Sequence, residues 1–368
     1  MTGLSEIIDD ILRPSGDESA PAGAVLAVRR GDDVDVAIGG FRELAALSGE
    51  TDLAMEREAS FDLASVSKMF TTVALMRLVT DREVALDNTL GHWVPSAVAA
   101  AGVSIRQLLL HRGGLAEWTP LYVEATERDA AFAHLDHMPL RYLPESGRHY
   151  SDLGFMMLGR VVENVTGQPL DTAIAELVIE PLGLASSRYR HPVAPPVAAA
   201  SLGDAIEARM LDTGVPYPVP YTAADFTGWR SGVLRDEVND GNAFHALDSV
   251  SGHAGLFSTP DDLLAFAAAL SSGKDELWSP DIAQQFFTQG PDVGQALGFR
   301  RYAAVVDGRE TQILGHTGFT GCMLGFVPDE EVAIVLATNR LHTLGTPAAT
   351  DRLVGMALTA LETGVSRR

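Results

Sequence analysis

FDLASVSKMFTTVALMRLV, residues 61–79, places a short apolar lead-in, Phe61-Asp-Leu-Ala64, directly ahead of a helical pattern running from Ser65 to about Thr80. Phe70, Val73, Ala74, Met76 and Leu78 supply the apolar stripe of that helix. Ser65 then stands at the helix N-terminus, with Lys68 one turn further along the same face. A serine there can be a plain N-cap. A lysine there is another matter, because the positive end of the helix dipole opposes an ammonium and steadies a developing anion. Both effects favour a neutral amine that takes the serine proton.

The basic residues sharpen this. Of 27 basic side chains only Lys68 and Lys274 are lysine, all others being arginine. Arginine stays protonated at any ordinary pH, whereas a desolvated lysine can lose its proton. Both lysines lie three residues after a serine, Ser65-Val-Ser-Lys68 and Ser271-Ser-Gly-Lys274, and about one such match arises by chance in a chain of this length. Lys274 follows an apolar helix that ends at Gly273, where a left-handed residue is expected, so it reads as a solvated end-of-helix cation. Context favours Ser65 and Lys68 for chemistry.

The 368 residues, 46% hydrophobic and 21% charged, are enough for one large domain or two smaller ones and exclude a disordered or collagen-like chain. A net charge of −22 opposes nucleic acid and anionic membranes. No apolar run approaches the roughly 18 residues of a membrane span. MTGLSEIIDDILRP lacks the basic start of an export signal, so a cytoplasmic location is expected. One cysteine, Cys322, rules out an internal disulfide and a Cys-based zinc site.

Along the chain, Leu4–Leu12 reads as a short amphipathic helix, and Ala24–Arg29 with Val34–Gly39 as a hairpin turned at Gly31-Asp-Asp. Helical patterns follow at Ile105–His111, Glu127–His134, Phe155–Val165 and Asp171–Ile179. A meander of strands then covers Leu297–Val306, Thr311–Leu314, Cys322–Val327 and Val332–Thr338, and Thr346-Pro347 caps a last helix. Strands at both chain ends around a helical middle suggest one antiparallel sheet with a helical insertion.

Two further pieces carry chemistry. Tyr150-Ser-Asp152 precedes a helix; a phenol held near a cation could titrate below its usual value and shuttle protons. His316-Thr317-Gly318 lies between two late strands, where Gly318 would admit a substrate to the strand edge and the Phe319 amide could donate to an oxyanion. His253-Ala-Gly255 is a rival in a glycine-rich loop. His134 and His137 stand three apart on a helix without a third ligand, so a solvated face accounts for them and no metal or other cofactor is expected. No serine carries the flanking glycines of the G-x-S-x-G elbow.

Taken in order, Ser65-x-x-Lys68, Tyr150-Ser-Asp152 and His316-Thr-Gly318 resemble the penicillin-recognising serine hydrolases, nearest to class C β-lactamases and their esterase and D-aminopeptidase relatives. IRQLLLHRGGL, HYSDLGFMMLGRVVENVTGQPL, SGHAGLFSTPDDLLAF and LGHTGFTGCMLGFVPDEEVAIVLATNR strengthen the likeness. It implies an α+β, β-lactamase/transpeptidase-like fold: an antiparallel sheet flanked by helices, built from residues 1–80 and 240–368. A mainly helical domain over 81–239 would complete it, with the site in the cleft between. It implies Ser65 as nucleophile, Lys68 and Tyr150 sharing base and acid work, and the backbone amides of Ser65 and Phe319 as oxyanion hole. Asp152, His316, Thr317 and Gly318 would contact a small ester, amide or β-lactam.

Two departures matter. Asp152 stands where the family has asparagine; a carboxylate only accepts hydrogen bonds, and pairing with Lys68 would keep that lysine protonated and shift base duty to Tyr150. His316 replaces lysine and weakens a fixed positive charge. Esters are therefore expected to react faster than β-lactams. The rival reading is a protein of this fold that binds or senses a ligand without turnover. Residues 216–242 are expected to border the cleft, with Tyr217, Tyr221, Phe226, Trp229 and Asn242 facing it.

Overall fold

The two ends of the chain meet in one sheet. The computed structural model describes residues 3–194, 196–273 and 277–362, so Lys274 lies outside the described residues. Seven strands run in the order Arg300–Val306, Arg309–Thr317, Met323–Val327, Val332–Thr338, Gly23–Arg30, Asp33–Glu43 and Leu53–Ala54, each antiparallel to its neighbour. Val332–Thr338 crosses to Gly23–Arg30 in the register Val332↔Arg30 through Thr338↔Ala24, joining the late meander to the early hairpin. That hairpin closes at Arg30↔Asp33 around Gly31, whose φ of +57° suits a tight turn.

Alternation along each strand divides the two faces. Ala24, Leu26, Val28, Ile334 and Leu336 face a core made with Leu4–Ile11 and Thr350–Leu358; the first of these helices inserts Ile7, Ile8 and Ile11. Val25, Ala27, Leu324, Phe326 and Val335 face the other way, into the large core under Pro260–Ser272.

At the centre of that core is Ser67–Thr80. The sequence pattern suggests a one-sided stripe, but the helix is buried all round, Lys68, Thr71 and Thr72 included, because the helices Asp152–Thr166, Leu170–Ile174 and Pro280–Phe287 also pack on it. Phe70 stacks on Phe266 at 4.3 Å between ring centroids, tying it to the sheet-covering helix. Burial of each such ring contributes on the order of 1.5–3 kcal/mol.

Several boundaries differ from the sequence reading. The strand expected from Leu297 starts at Arg300, because Leu297 and Phe299 turn into the core around Gly298, whose φ is +74°. Thr346-Pro347 pairs with Glu18–Ser19 as a short parallel bridge, and the last helix starts at Thr350. Leu170–Ile174 passes into a wider π-helical turn at Ala175–Ile179. Among the described residues no helix is long and apolar enough to cross a membrane.

Candidate active site

Ser65 sits on a sharp turn, not in the first turn of an α-helix. Phe61–Asp62 pairs with Leu256–Ser258, the chain then bends through Ala64 at φ +42°, and Ala64–Val66 form a 3₁₀ turn before the α-helix begins at Ser67. Asp62 holds this bend. Its buried carboxylate accepts from the Ala64 amide at 2.7 Å and the Asn239 amide at 2.6 Å, while its carbonyl accepts from Thr320 Oγ1 at 2.7 Å. Burial pushes this carboxyl up to about 6, against the pull of the two amides. Asp62 therefore favours the fold most in acid and loses that contribution as pH climbs through about 6. Asp62→Asn turns an NH₂ toward one of those two donors and unseats Ser65. At neutral pH kcat is expected to fall roughly 10- to 100-fold. The melting temperature should move little, since loss of a buried charge offsets loss of an acceptor, and thermal denaturation beside steady-state kinetics separates the two effects.

Gly318 has a packing task besides the one its motif suggests. A Cβ there would lie 2.3 Å from the Leu63 carbonyl oxygen and 3.5 Å from the Ala64 Cβ. The glycine lets the end of Arg309–Thr317 close onto the turn that carries Ser65. That strand also outruns its neighbour: Arg300 pairs with Gly315, whereas His316 and Thr317 pair only with Leu324 and Met323 on the other side. His316 thus lies in an interior strand whose end is open on one side.

Lys68 Nζ lies 2.7 Å from Ser65 Oγ, 2.6 Å from Asp152 Oδ1 and 3.4 Å from the His253 carbonyl oxygen. Lys68 is wholly buried and the Asp152 side chain is 13% exposed. Burial acts to lower the ammonium's pKa, but Asp152 and Tyr150 together outweigh it, and the net displacement is upward. The neutral resting amine expected from the helix position gives way to the protonated lysine expected from its pairing with Asp152: this lysine is an ammonium donating to Ser65 Oγ. His253, passed over in sequence as a rival, turns out to support it. Its ring bridges Ser251 Oγ at 2.7 Å and Asp240 Oδ1 at 3.0 Å, which orients the carbonyl beneath Lys68.

Ser151 explains why the tyrosine and aspartate stand two residues apart in sequence. Its hydroxyl caps Asp152–Thr166 by accepting from the Gly154 amide at 3.1 Å and donates to the Ala116 carbonyl at 2.6 Å, which aims Asp152 inward from the first helical turn. The Tyr150 ring packs 4.6 Å from His111 and 5.9 Å from His316, with Lys68 Nζ 5.0 Å from its centroid. Burial raises the phenol pKa further than Lys68 lowers it. The depressed value expected from a nearby cation is thus also corrected: Tyr150 is a neutral phenol, hence a proton donor. His316 is held neutral by burial and by Lys68. Its Nδ1 lies 2.8 Å from the Thr317 carbonyl, which can only accept, so Nδ1 carries the proton and Nε2 is a bare acceptor.

These groups open onto one cavity of about 400 Å³, lined by Ser65, Tyr150, Asp152, His316, Thr317, Gly318 and Phe319. The amides of Ser65 and Phe319 donate to no turn or loop carbonyl among the described residues. Tyr217 lines the cavity as expected, but Tyr221, Phe226, Trp229 and Asn242 do not. Phe226 and Trp229 pack with Tyr122, and buried Asn242 bonds Leu121 N and Thr119 O, so these residues are structural. Sequence reading missed Arg148, Glu207, Met210, Asp240 and Arg300 on the same wall. Arg148 was visible beside Tyr150; the others carry no local signal. Arg148 donates to Gln295 at 2.8 Å and Arg300 reaches Thr317 Oγ1 at 3.5 Å, so both guanidiniums bond neutral partners.

A family model described as Beta-lactamase matches residues 8–358. An N-acetylmuramyl-L-alanine amidase of Bacillus subtilis (strain 168) is 30% identical over 320 residues, covering 78% of this chain and 70% of its own. In fold, the chain is similar to EstCE1, a hydrolase with promiscuous acyltransferase activity, at TM-score 0.70 and 22% identity over 97% of both chains. It is also similar to the D-amino acid amidase from Ochrobactrum anthropi SV3, at TM-score 0.68 and 20% identity over 98% of this chain and 97% of that one.

Proposed function

This chain belongs to the Beta-lactamase family, and from that premise we propose that it hydrolyses small esters and amides through an acyl-enzyme on Ser65. One observation carries the reading: Ser65 Oγ, Lys68 Nζ and Asp152 Oδ1 form a continuous hydrogen-bonded line, buried at its centre. Once Lys68 has lost its ammonium proton to solvent, the free amine takes the Ser65 proton while Oγ attacks the acyl carbon. The amides of Ser65 and Phe319 receive the oxyanion, an arrangement worth on the order of 3–4 kcal/mol in the transition state. Tyr150, a neutral phenol, protonates the leaving group as its bond to the acyl carbon breaks and regains a proton through Lys68. Water then releases the acyl group by the same steps in reverse.

The substrate class follows from charge. His316 is neutral, so positive charge near the leaving group comes from Arg148 and Arg300, which suit a carboxylate there without requiring one. Asp152 gives no donor for an acylamide carbonyl, which argues against efficient β-lactam turnover. A fluorophosphonate probe is expected to label Ser65 once per chain, and p-nitrophenyl butyrate to be turned over faster than nitrocefin. Rapid nitrocefin hydrolysis without esterase activity would reverse that order, and stable penicillin labelling with no ester turnover would favour a ligand-sensing protein.

The Lys68–Asp152 couple also sets the pH dependence. A base works in its deprotonated form, so a high lysine pKa places the rising limb of kcat/KM at alkaline pH. In Asp152→Asn the largest upward influence on Lys68 is gone and only Tyr150 still opposes burial, so the limb is expected to move to lower pH. A pH–rate profile of both proteins checks this; an unmoved limb would show that the pair does not govern the base.

A further inference from the structure

The catalytic cavity continues past the Phe319 ring. Phe319, Met210 and Pro216 line both it and a second trough of about 580 Å³, whose walls are largely apolar: Leu202, Ile206, Val215, Leu341 and Leu344. Val215 is 67% and Leu344 76% exposed, an arrangement that leaves apolar surface facing water beside the site. The divider between the two spaces is held in place. Arg340, itself buried, donates to the Phe319 carbonyl at 2.8 Å, sits 5.3 Å from the ring centroid, and is tied to the Ala348 carbonyl at 2.6 Å. Met210, near the end of Ala205–Thr213, offers an adaptable thioether at the junction.

We propose that this trough receives a medium-length apolar chain on the acyl portion of the substrate; the inference rests on the acyl-enzyme reading of Ser65. The leaving group must lie against Tyr150, where Arg148 stacks near the phenol and Arg300 lines the same cavity, a polar, cationic wall unsuited to an alkyl chain. The acyl portion takes the other way out, over Phe319, Met210 and Pro216. A carbonyl bonded to Ser65 therefore has an apolar path for its tail, over Phe319 into the adjoining trough.

A series of p-nitrophenyl esters from acetate to octanoate tests this, with octanoate binding followed by calorimetry alongside. In the wild type, kcat/KM is expected to rise about 3- to 4-fold per added methylene along much of the series. Ile206→Asp and Leu344→Asp, both away from the reacting groups, should flatten that slope, leave acetate hydrolysis unchanged and weaken octanoate binding at least tenfold. Leu344 is exposed on a loop, so its variant keeps the test valid if Ile206→Asp folds poorly. A flat series, or the same slope in wild type and variants, overturns the proposal. If no ester of any length is hydrolysed, the acyl-enzyme reading fails by itself. The trough is then judged on octanoate: binding lost in the variants upholds an apolar-chain site, and no binding to the wild type refutes it.

Discussion

Ser65→Ala is expected to lose at least roughly 10³-fold in kcat on p-nitrophenyl esters and to keep the melting temperature of the wild type. The size follows from what remains. Without Oγ no acyl-enzyme forms, and only the oxyanion donors and substrate positioning can still act, by placing a water near the acyl carbon. The fold should be indifferent because Asp62 and Gly318, not the Ser65 hydroxyl, hold the turn. Fluorophosphonate labelling should vanish in the same variant. Turnover at the wild-type rate would dispose of Ser65 as nucleophile, whatever the geometry around it.

Lys68→Met carries the second large effect, on stability as well as rate. Methionine fills the space of the lysine stem but leaves the Asp152 carboxylate, 13% exposed, with no counter-charge. Breaking a buried pair from one side costs about 3–5 kcal/mol, and the slight exposure of Asp152 places the expected loss toward the lower end. The double variant Lys68→Met, Asp152→Asn removes both charges and should recover most of that stability in urea denaturation, since no unpaired ion remains. Activity should stay down roughly 10²–10⁴-fold in both, the usual contribution of a positioned proton-transfer group. Recovery of activity along with stability would mean that Lys68 holds the site together without handling the Ser65 proton.

The legible part of the site is the part encoded in short runs. Ser65 and Lys68 lie three residues apart, Tyr150 and Asp152 flank the cap residue Ser151, and His316 to Phe319 run off the end of one strand; each group is local, so a spacing argument reaches it. Arg148 and Arg300 lie far apart in sequence and meet only because the Arg300–Val306 strand borders the cavity that the Tyr150 loop also borders. Glu207, Met210 and Asp240 come from a helix and a loop with no spacing that marks them. Asn242 and Trp229 show the opposite failure, polar and aromatic residues in the right segment that the packing assigns to structure.

Residue order alone determined that a serine, a lysine, a phenol and an imidazole recur in the sequence of a known family, and that strands from both ends would form the sheet. It could not decide protonation. Whether Lys68 is an ammonium, Tyr150 a phenol and His316 a neutral acceptor depends on burial and on charges brought within a few ångströms by distant segments, and those energies exist only once the chain is folded. The same holds for Gly318: its lack of a side chain is plain in the sequence, but that the space belongs to the Leu63 carbonyl is a property of the packed molecule.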